Sequence, residues 1–170
     1  MIDLEKIVKE MDYFTNHKIE IGILGDGGTI NGKEGGTKEE ITVLEYGTYL
    51  EFGTSKSAPI PFFRKAIETN QTQISTYIER VVSDVLSGEL TGKQAMMQVG
   101  EYVRGLVIVS IATAGGWARE LSPNYTKWKE KNFPNKKGQT LILDGFLIKS
   151  IRYKIKKGSN IVYTSKWKGI

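Results

Sequence analysis

Cysteine is absent from this 170-residue sequence, which removes disulfides, thiol nucleophiles and thiolate metal ligands together. Histidine occurs once, at His17, so multi-histidine metal sites are excluded. As a general base His17 would need a nucleophile and an orienting acid that sequence alone does not supply; beside a strand start it reads as an ordinary surface or edge residue. No apolar run approaches 18 residues, so no membrane span is expected. The opening MIDLEKIVKEMDYF lacks the basic start and apolar core of a signal peptide, and the chain is expected to stay in the cytoplasm.

What is present is the composition of an ordinary globular protein, 39% hydrophobic and 25% charged, with the length of a single domain spanning 1–170. The net charge of +5 is unevenly spread. Residues 1–126 hold 12 Lys/Arg against 17 Asp/Glu, a balance of −5, and residues 127–170 hold 12 against 2, a balance of +10. Such a split marks either a nucleic-acid surface or a subunit whose basic end meets an acidic partner or an acidic neighbouring copy.

Leu4, Ile7, Val8 and Met11 fall at helical spacing, with Asp3 as N-cap, so a short amphipathic helix opens the chain. HKIEIGIL then alternates, placing Ile19, Ile21 and Ile23 on one side of a half-buried strand. Residues 25–40 contain six glycines and only Ile30 as an apolar residue, which predicts a mobile loop without regular structure. Ile41, Leu44, Tyr49 and Phe52 favour a short helix interrupted by Gly47. From Pro61 a 3.6-residue stripe through Phe63, Ala66, Ile67, Ile74, Tyr77, Ile78, Val81, Val82 and Val85 predicts one long helix, capped near Gly88. Thr91 and Gln94 make a capping-box pattern for a second, ending at Ala114-Gly115-Gly116. Ser122 and Pro123 start a shorter helix, and LILDGFLIKS reads as another. Ile151, Tyr153 and Ile155 alternate with Arg152, Lys154 and Lys156 before a Gly158-Ser159 turn to Ile161 and Tyr163, a hairpin. The expected fold is α+β: a small, mostly antiparallel sheet, made of the N-terminal strand and the C-terminal hairpin, packed against two long helices and several short ones. A basic tail is expected at 165–170.

Gly27-Gly28-Thr29-Ile30-Asn31-Gly32-Lys33 fits G-x-x-x-x-G-K, the phosphate-binding pattern. Glu34 follows where a magnesium-holding Ser or Thr belongs, putting a carboxylate among phosphate oxygens, and two more glycines stand where a helix should begin. Glu45 and Glu51 are six apart across Gly47 and do not form a carboxylate pair. No residue is assigned to catalysis, metal or cofactor binding, and the chain is expected not to be an enzyme.

Three segments in this order look familiar: IGIL, a polar loop and VLEYGTYLEFGT; APIPFFRKAIE; and LSPNYTKWKEKN with LILDGFLIKSIRYKI. Together, over about residues 18–164, they resemble the neck and tail-completion (head–tail joining) proteins of long-tailed bacteriophages. That family's E-F-G-T falls on Glu51, Phe52, Gly53 and Thr54, and its P-F helix start on Pro61 and Phe62. Its L-x-D-T-G-x-L-x-x-S-I falls on Leu141, Leu143, Asp144, Gly145, Leu147, Ser150 and Ile151. The sequence departs from the pattern at Ile60, where the family has Arg, and in lacking the Thr between Asp144 and Gly145.

The resemblance implies a virion structural protein, assembled in the bacterial cytoplasm, that forms a homo-oligomeric ring of six in the phage neck or as a tail terminator. Its partners would be head-connector and tail-tube or terminator proteins, with DNA passing through the lumen unread and no membrane contact. Glu51, Gly53, Thr54, Pro61, Phe62, Asp144 and Gly145 then serve the fold. Candidate subunit or ring contacts are the 25–40 loop, the exposed side of 41–54 with Tyr46, Tyr49 and Phe52, and the basic end with Lys154, Lys156, Lys157, Lys166, Trp167 and Lys168. The alternative is nucleic-acid binding by the basic C-terminal third, where Lys and Arg interleave with Trp and Tyr.

Overall fold

A computed structural model of the chain describes residues 4–24, 29–34, 37–55, 57–120, 123–132, 141 and 145–166. The fold is α+β, as expected. Its helices are α1 (Leu4–Asn16), α2 (Val43–Phe52), α3 (Phe62–Thr69), α4 (Gln71–Leu86), α5 (Gly92–Ala112), α6 (Ala114–Trp117), α7 (Pro123–Asn132) and α8 (Phe146–Ser150). The strands β1 (Lys18–Ile23), β4 (Ile151–Lys157) and β5 (Asn160–Thr164) form an antiparallel sheet in the order β1-β4-β5, and β2 (Thr29–Glu34) pairs with β3 (Thr37–Thr42) separately. The residues group into two compact units. One comprises Met1–Gly22, Ile67–Leu106 and Arg152–Lys168; the other comprises Ile23–Ala66, Val107–Ile151 and Gly169–Ile170.

The first unit is built on period-2 and period-3.6 burial. Tyr153 and Ile155 of β4, like Ile151 just before the unit's boundary, are buried and alternate with half-buried Arg152, Lys154 and Lys156. Val81 and Val85 of α4 pack with Ala95 and Val99 of α5, joined by Met11 and Phe14 of α1 and Ile19 of β1. Met96, Tyr153 and Ile155 form a second cluster, with Tyr13, Ile21, Met97 and Tyr163 against it. Each fully buried aliphatic side chain contributes about 1.5–3 kcal/mol of transfer free energy. The capping box forms as expected: Gln94 N–H donates to Thr91 Oγ1 at 3.2 Å and Thr91 N–H to Gln94 Oε1 at 3.0 Å. Glu10 Oε2 accepts from Gly92 N–H at 2.7 Å, a further anchor at the same terminus. The C-terminal hairpin is closed beyond β5 by Ser165, which is buried. Its N–H donates to the Tyr153 carbonyl at 2.8 Å, and its Oγ accepts from Tyr153 N–H at 2.9 Å.

The second unit holds the β2–β3 hairpin, α2, α6, α7 and α8. Val43, Ile60, Phe62, Ala66, Val107, Ile111, Ala114, Leu141, Leu147 and Ile148 are its buried apolar residues. Thr42 ends β3 and N-caps α2 in a reciprocal capping box with Glu45, at 2.8 and 3.1 Å. That box puts the helix directly after the strand.

Several expectations are corrected. The 25–40 segment is not an irregular loop: Thr29 to Glu34 pair in register with Thr42 to Thr37. Backbone pairing of polar residues leaves no apolar signature, which is why composition concealed it. The long helix from Pro61 is two helices, broken at Asn70 (φ −114°, ψ 17°). Helix α2 runs through Gly47 without interruption, and Ile41 belongs to β3. Leu4 and Val8, put on the apolar face of α1 by their spacing, are exposed. Ser165, placed at the start of the basic tail, is buried and bonded to Tyr153, and residues 167–170 lie outside the described residues. Asp3 and Ser122, read as caps, lie outside the described residues. Finally, α5 is long and apolar enough by composition to cross a membrane, with mean hydropathy 1.3 over its best window, which the scan for apolar runs overlooked. Half of that window is buried within the chain, and Arg104 pairs with Glu101 inside the helix, the pattern of a core helix.

Gly100 of α5 faces the Tyr153 ring so closely that a β-carbon there would fall among the ring atoms. Gly100→Ala is therefore expected to cost about 1–3 kcal/mol by overpacking, measured as a lower urea midpoint at unchanged slope. Combining it with Tyr153→Leu should cost less than the sum of the two single changes.

Candidate functional site

The G-x-x-x-x-G-K pattern has no phosphate-cradle geometry at its lysine. Lys33 sits in β2, paired with Lys38 of β3, and no helix begins there. Gly27 and Gly28 lie outside the described residues. His17 closes the C-terminal end of α1: its Nδ1–H donates to the Tyr13 carbonyl at 2.7 Å, and its ring stacks on Tyr13 at 3.7 Å between centroids. Both features are explained by local structure.

The E-F-G-T and P-F residues form one corner. Glu51, near the end of α2, turns its carboxylate onto the start of α3. Oε2 accepts from Phe63 N–H at 2.9 Å and Oε1 from Arg64 N–H at 3.0 Å. These are the first-turn N–H groups that a helix leaves without partners, and an anion there also meets the positive end of the helix dipole. The chain between them reverses at Gly53, whose N–H donates to Tyr49 carbonyl at 2.9 Å. Its φ of 78° with ψ of −176° is open essentially to glycine alone, an extended mirror-image conformation. Thr54 and Ser57 exchange backbone bonds at 2.8 and 3.3 Å, and Ile60 N–H donates to Leu50 carbonyl at 2.7 Å. Arg119 reaches back to the same turn, donating from Nε to the Ala58 carbonyl at 3.1 Å and from Nη2 to Ser57 Oγ. Ile60 and Phe62 are buried beneath, with Pro61 half-buried. Ile60 is thus a core residue here.

This rigid corner presents α2 with two apolar faces. Val43 and Gly47 are buried, and Tyr46, Leu50 and Glu51 half-buried, on one side. On the other, one turn apart, stand Leu44 (47% exposed), Thr48 and Phe52 (68%), flanked by Tyr49 (48%). Of the residues expected on the outer face, Tyr49 and Phe52 are there. Tyr46 is not, because its helical position carries it round toward Val43 and Leu50. Leu44 was missed, having been counted only as part of an apolar pattern; its spacing of eight from Phe52 was the available signal.

The basic end is divided. Lys154 and Lys156 reach across the sheet to Glu20 of β1, at 3.3 and 3.1 Å. The Lys156 and Lys154 ammonium groups hold the Glu20 carboxyl below its usual range. Lys157 and Lys166 are exposed; Trp167 and Lys168 lie outside the described residues, as does Asp144. Gly145 opens α8 with φ 74°. A register shift in β4–β5 makes Val162 an extra residue between Tyr163, opposite Ile155, and Ile161, opposite Lys156. This bulge leaves both Ile161 (57%) and Val162 (42%) exposed, where strict alternation would have turned one inward. Compared with known proteins, the chain matches no family model, no curated protein and no solved structure.

Glu51→Ala removes both acceptors from α3 and is expected to lower stability by about 1–2 kcal/mol in urea unfolding, with Glu51→Gln intermediate. For Glu20 the sign is set by its lowered pKa. Its contribution is present above the ordinary carboxylate value of about 4.3 and fades as pH falls through the lower folded value. The small stability gap between the native chain and Glu20→Gln should therefore be measurable at pH 7 and close progressively in acid.

Proposed function

We propose that the chain is a structural subunit of a closed ring in the neck of a long-tailed bacteriophage, which joins or completes the tail for attachment to the head connector around a central passage for DNA. The observation that carries this reading is the outer face of α2. A helix that is apolar on both sides belongs in an interior, and here the second side is exposed among the described residues. Leu44, Tyr49 and Phe52 together leave roughly 300 Å² in water, taking ~150–250 Å² for a whole aromatic side chain and their fractional exposures. At ~25 cal/mol per Å² that is about 7 kcal/mol. Association costs about 4–15 kcal/mol in lost freedom, so one such patch holds two free copies weakly. A closed ring answers this, because the last subunit to join makes two contacts for one loss of freedom. Being apolar, such contacts should outlast moderate salt. The resemblance in E-F-G-T, P-F and the 141–151 segment points the same way, and it suggests six copies, neighbouring connector and tail proteins, and a non-enzymatic role.

The nucleic-acid reading has less behind it. The tyrosines interleaved with the C-terminal lysines would have to stack on bases, yet Tyr153 is buried and Tyr163 half-buried, and Lys154 and Lys156 are already engaged by Glu20.

Light scattering over a concentration series at low and moderate salt, with negative-stain imaging, tests the proposal. Closed rings that persist in moderate salt are expected. Phe52→Asp should yield a folded monomer that still unfolds cooperatively, since the side chain lies outside the core, with a thermal midpoint that no longer depends on protein concentration. A monomeric native chain that binds DNA with a steep salt dependence would shift the assignment to the rival reading.

A further inference from the structure

The β4–β5 hairpin ends in an apolar pair, Ile161 and Val162, set among cations. Residues 151–166 contain Arg152, Lys154, Lys156, Lys157 and Lys166 and no acid, a balance of +5. Strand β5 is the edge of its sheet, and among the described residues no strand pairs with its outer side. The segment that carries the outer face of α2 has the opposite character. Residues 41–55 hold Glu45 and Glu51 and no base; the Glu51 carboxylate is turned onto α3, and Glu45 is exposed on the same helix as Leu44, Tyr49 and Phe52.

We propose that the surface covering the apolar face of α2 is the β4–β5 hairpin of a second copy of this chain, with Ile161 and Val162 seated against Leu44 and Phe52. The two self-paired alternatives are disfavoured by charge. Placing α2 on α2 sets acid against acid, and hairpin on hairpin sets +4 against +4 once Glu20, paired with Lys154 and Lys156, is counted, whereas the unlike pairing brings opposite charges around a shared apolar centre. The bulge at Val162 serves this contact. It interrupts the edge that would otherwise invite strand addition and turns two adjacent apolar side chains outward in its place. An unlike pairing leaves the joined pair with one unused patch of each kind, so it propagates from copy to copy. It rests on the ring reading only for the closure of that series.

Because the chain has no cysteine, introduced thiols report without background. Phe52→Cys and Ile161→Cys, both at exposed positions, are purified separately, mixed in equal amounts at high protein concentration and oxidised. The disulfide-linked dimers are then sorted by mass. Joined 52–161 dimers are expected in about tenfold excess over random pairing, the ratio that ~1.4 kcal/mol of preference gives. A random distribution, or an excess of 52–52 or 161–161 dimers, overturns the proposal. Imaging of the native chain separates the two readings. Rings without 52–161 linkage remove this pairing and leave the ring, while 52–161 linkage with open filaments retains the pairing and removes the ring.

Discussion

The Glu51 carboxylate on the first turn of α3 is the contact on which the presentation of α2 depends. It fixes the end of one helix to the beginning of the next across a turn that would otherwise be held only by backbone bonds at Thr54, Ser57 and Ile60. A two-fold acceptor of this kind defines direction as well as distance, because both oxygens are committed. Gly53 supplies the reversal no other residue adopts cheaply, and Arg119 fastens the outside of the same turn. Phe52 lies between Glu51 and Gly53, two residues fixed for reasons of their own. Its exposure is therefore a consequence of locked backbone on both sides and not of a frayed helix end.

The two units use their apolar residues differently. In the first, the alternation of β4 and the stripes of α4 and α5 are consumed internally, and the charged side chains of the sheet find each other through Glu20. Of its exposed apolar residues, Ile161 and Val162 at the hairpin owe their position to one bulge, and Leu4, Val8 and Leu86 stand exposed on helices. In the second, α2 keeps a full turn-to-turn stripe in water. Single exposed leucines and phenylalanines are common on monomers and need no account. Leu44 and Phe52, aligned along one helix with Tyr49 beside them and opposite a buried stripe, make a patch and not scattered single residues.

Sequence periodicity was informative where side chains decide the structure. Ile19 and Ile21, Tyr153 and Ile155, the Thr91–Gln94 cap and the start of α7 at Pro123 all follow from residue type and spacing. It was uninformative where the backbone decides. The β2–β3 pairing joins polar residues whose bonds are made by groups common to every amino acid. The break at Asn70 interrupts an apolar stripe that continues in phase on both sides, so the stripe gave no warning. Ser165 and Arg119 act over separations of 12 and about 60 residues, on backbone groups, and nothing local marks them. At the candidate site the same limit applied: Tyr49 and Phe52 were legible as interface types, Tyr46 was placed on the wrong side, and the role of Glu51 depended on a fold not yet known.

That last point bears on what the phage resemblance measures. Its most specific residues, Glu51, Gly53, Pro61 and Phe62, build the corner between α2 and α3. They specify a scaffold, and a scaffold is compatible with more than one use. The side chains that the scaffold holds outward are Leu44, Tyr49 and Phe52, of which the motif constrains Phe52 alone. Two chains could therefore share the corner and still differ in what covers it. A surface that covers α2 in this chain would have to be apolar at its centre and accommodate Glu45 beside it. Those are requirements of charge and shape, and they hold for any partner that docks there.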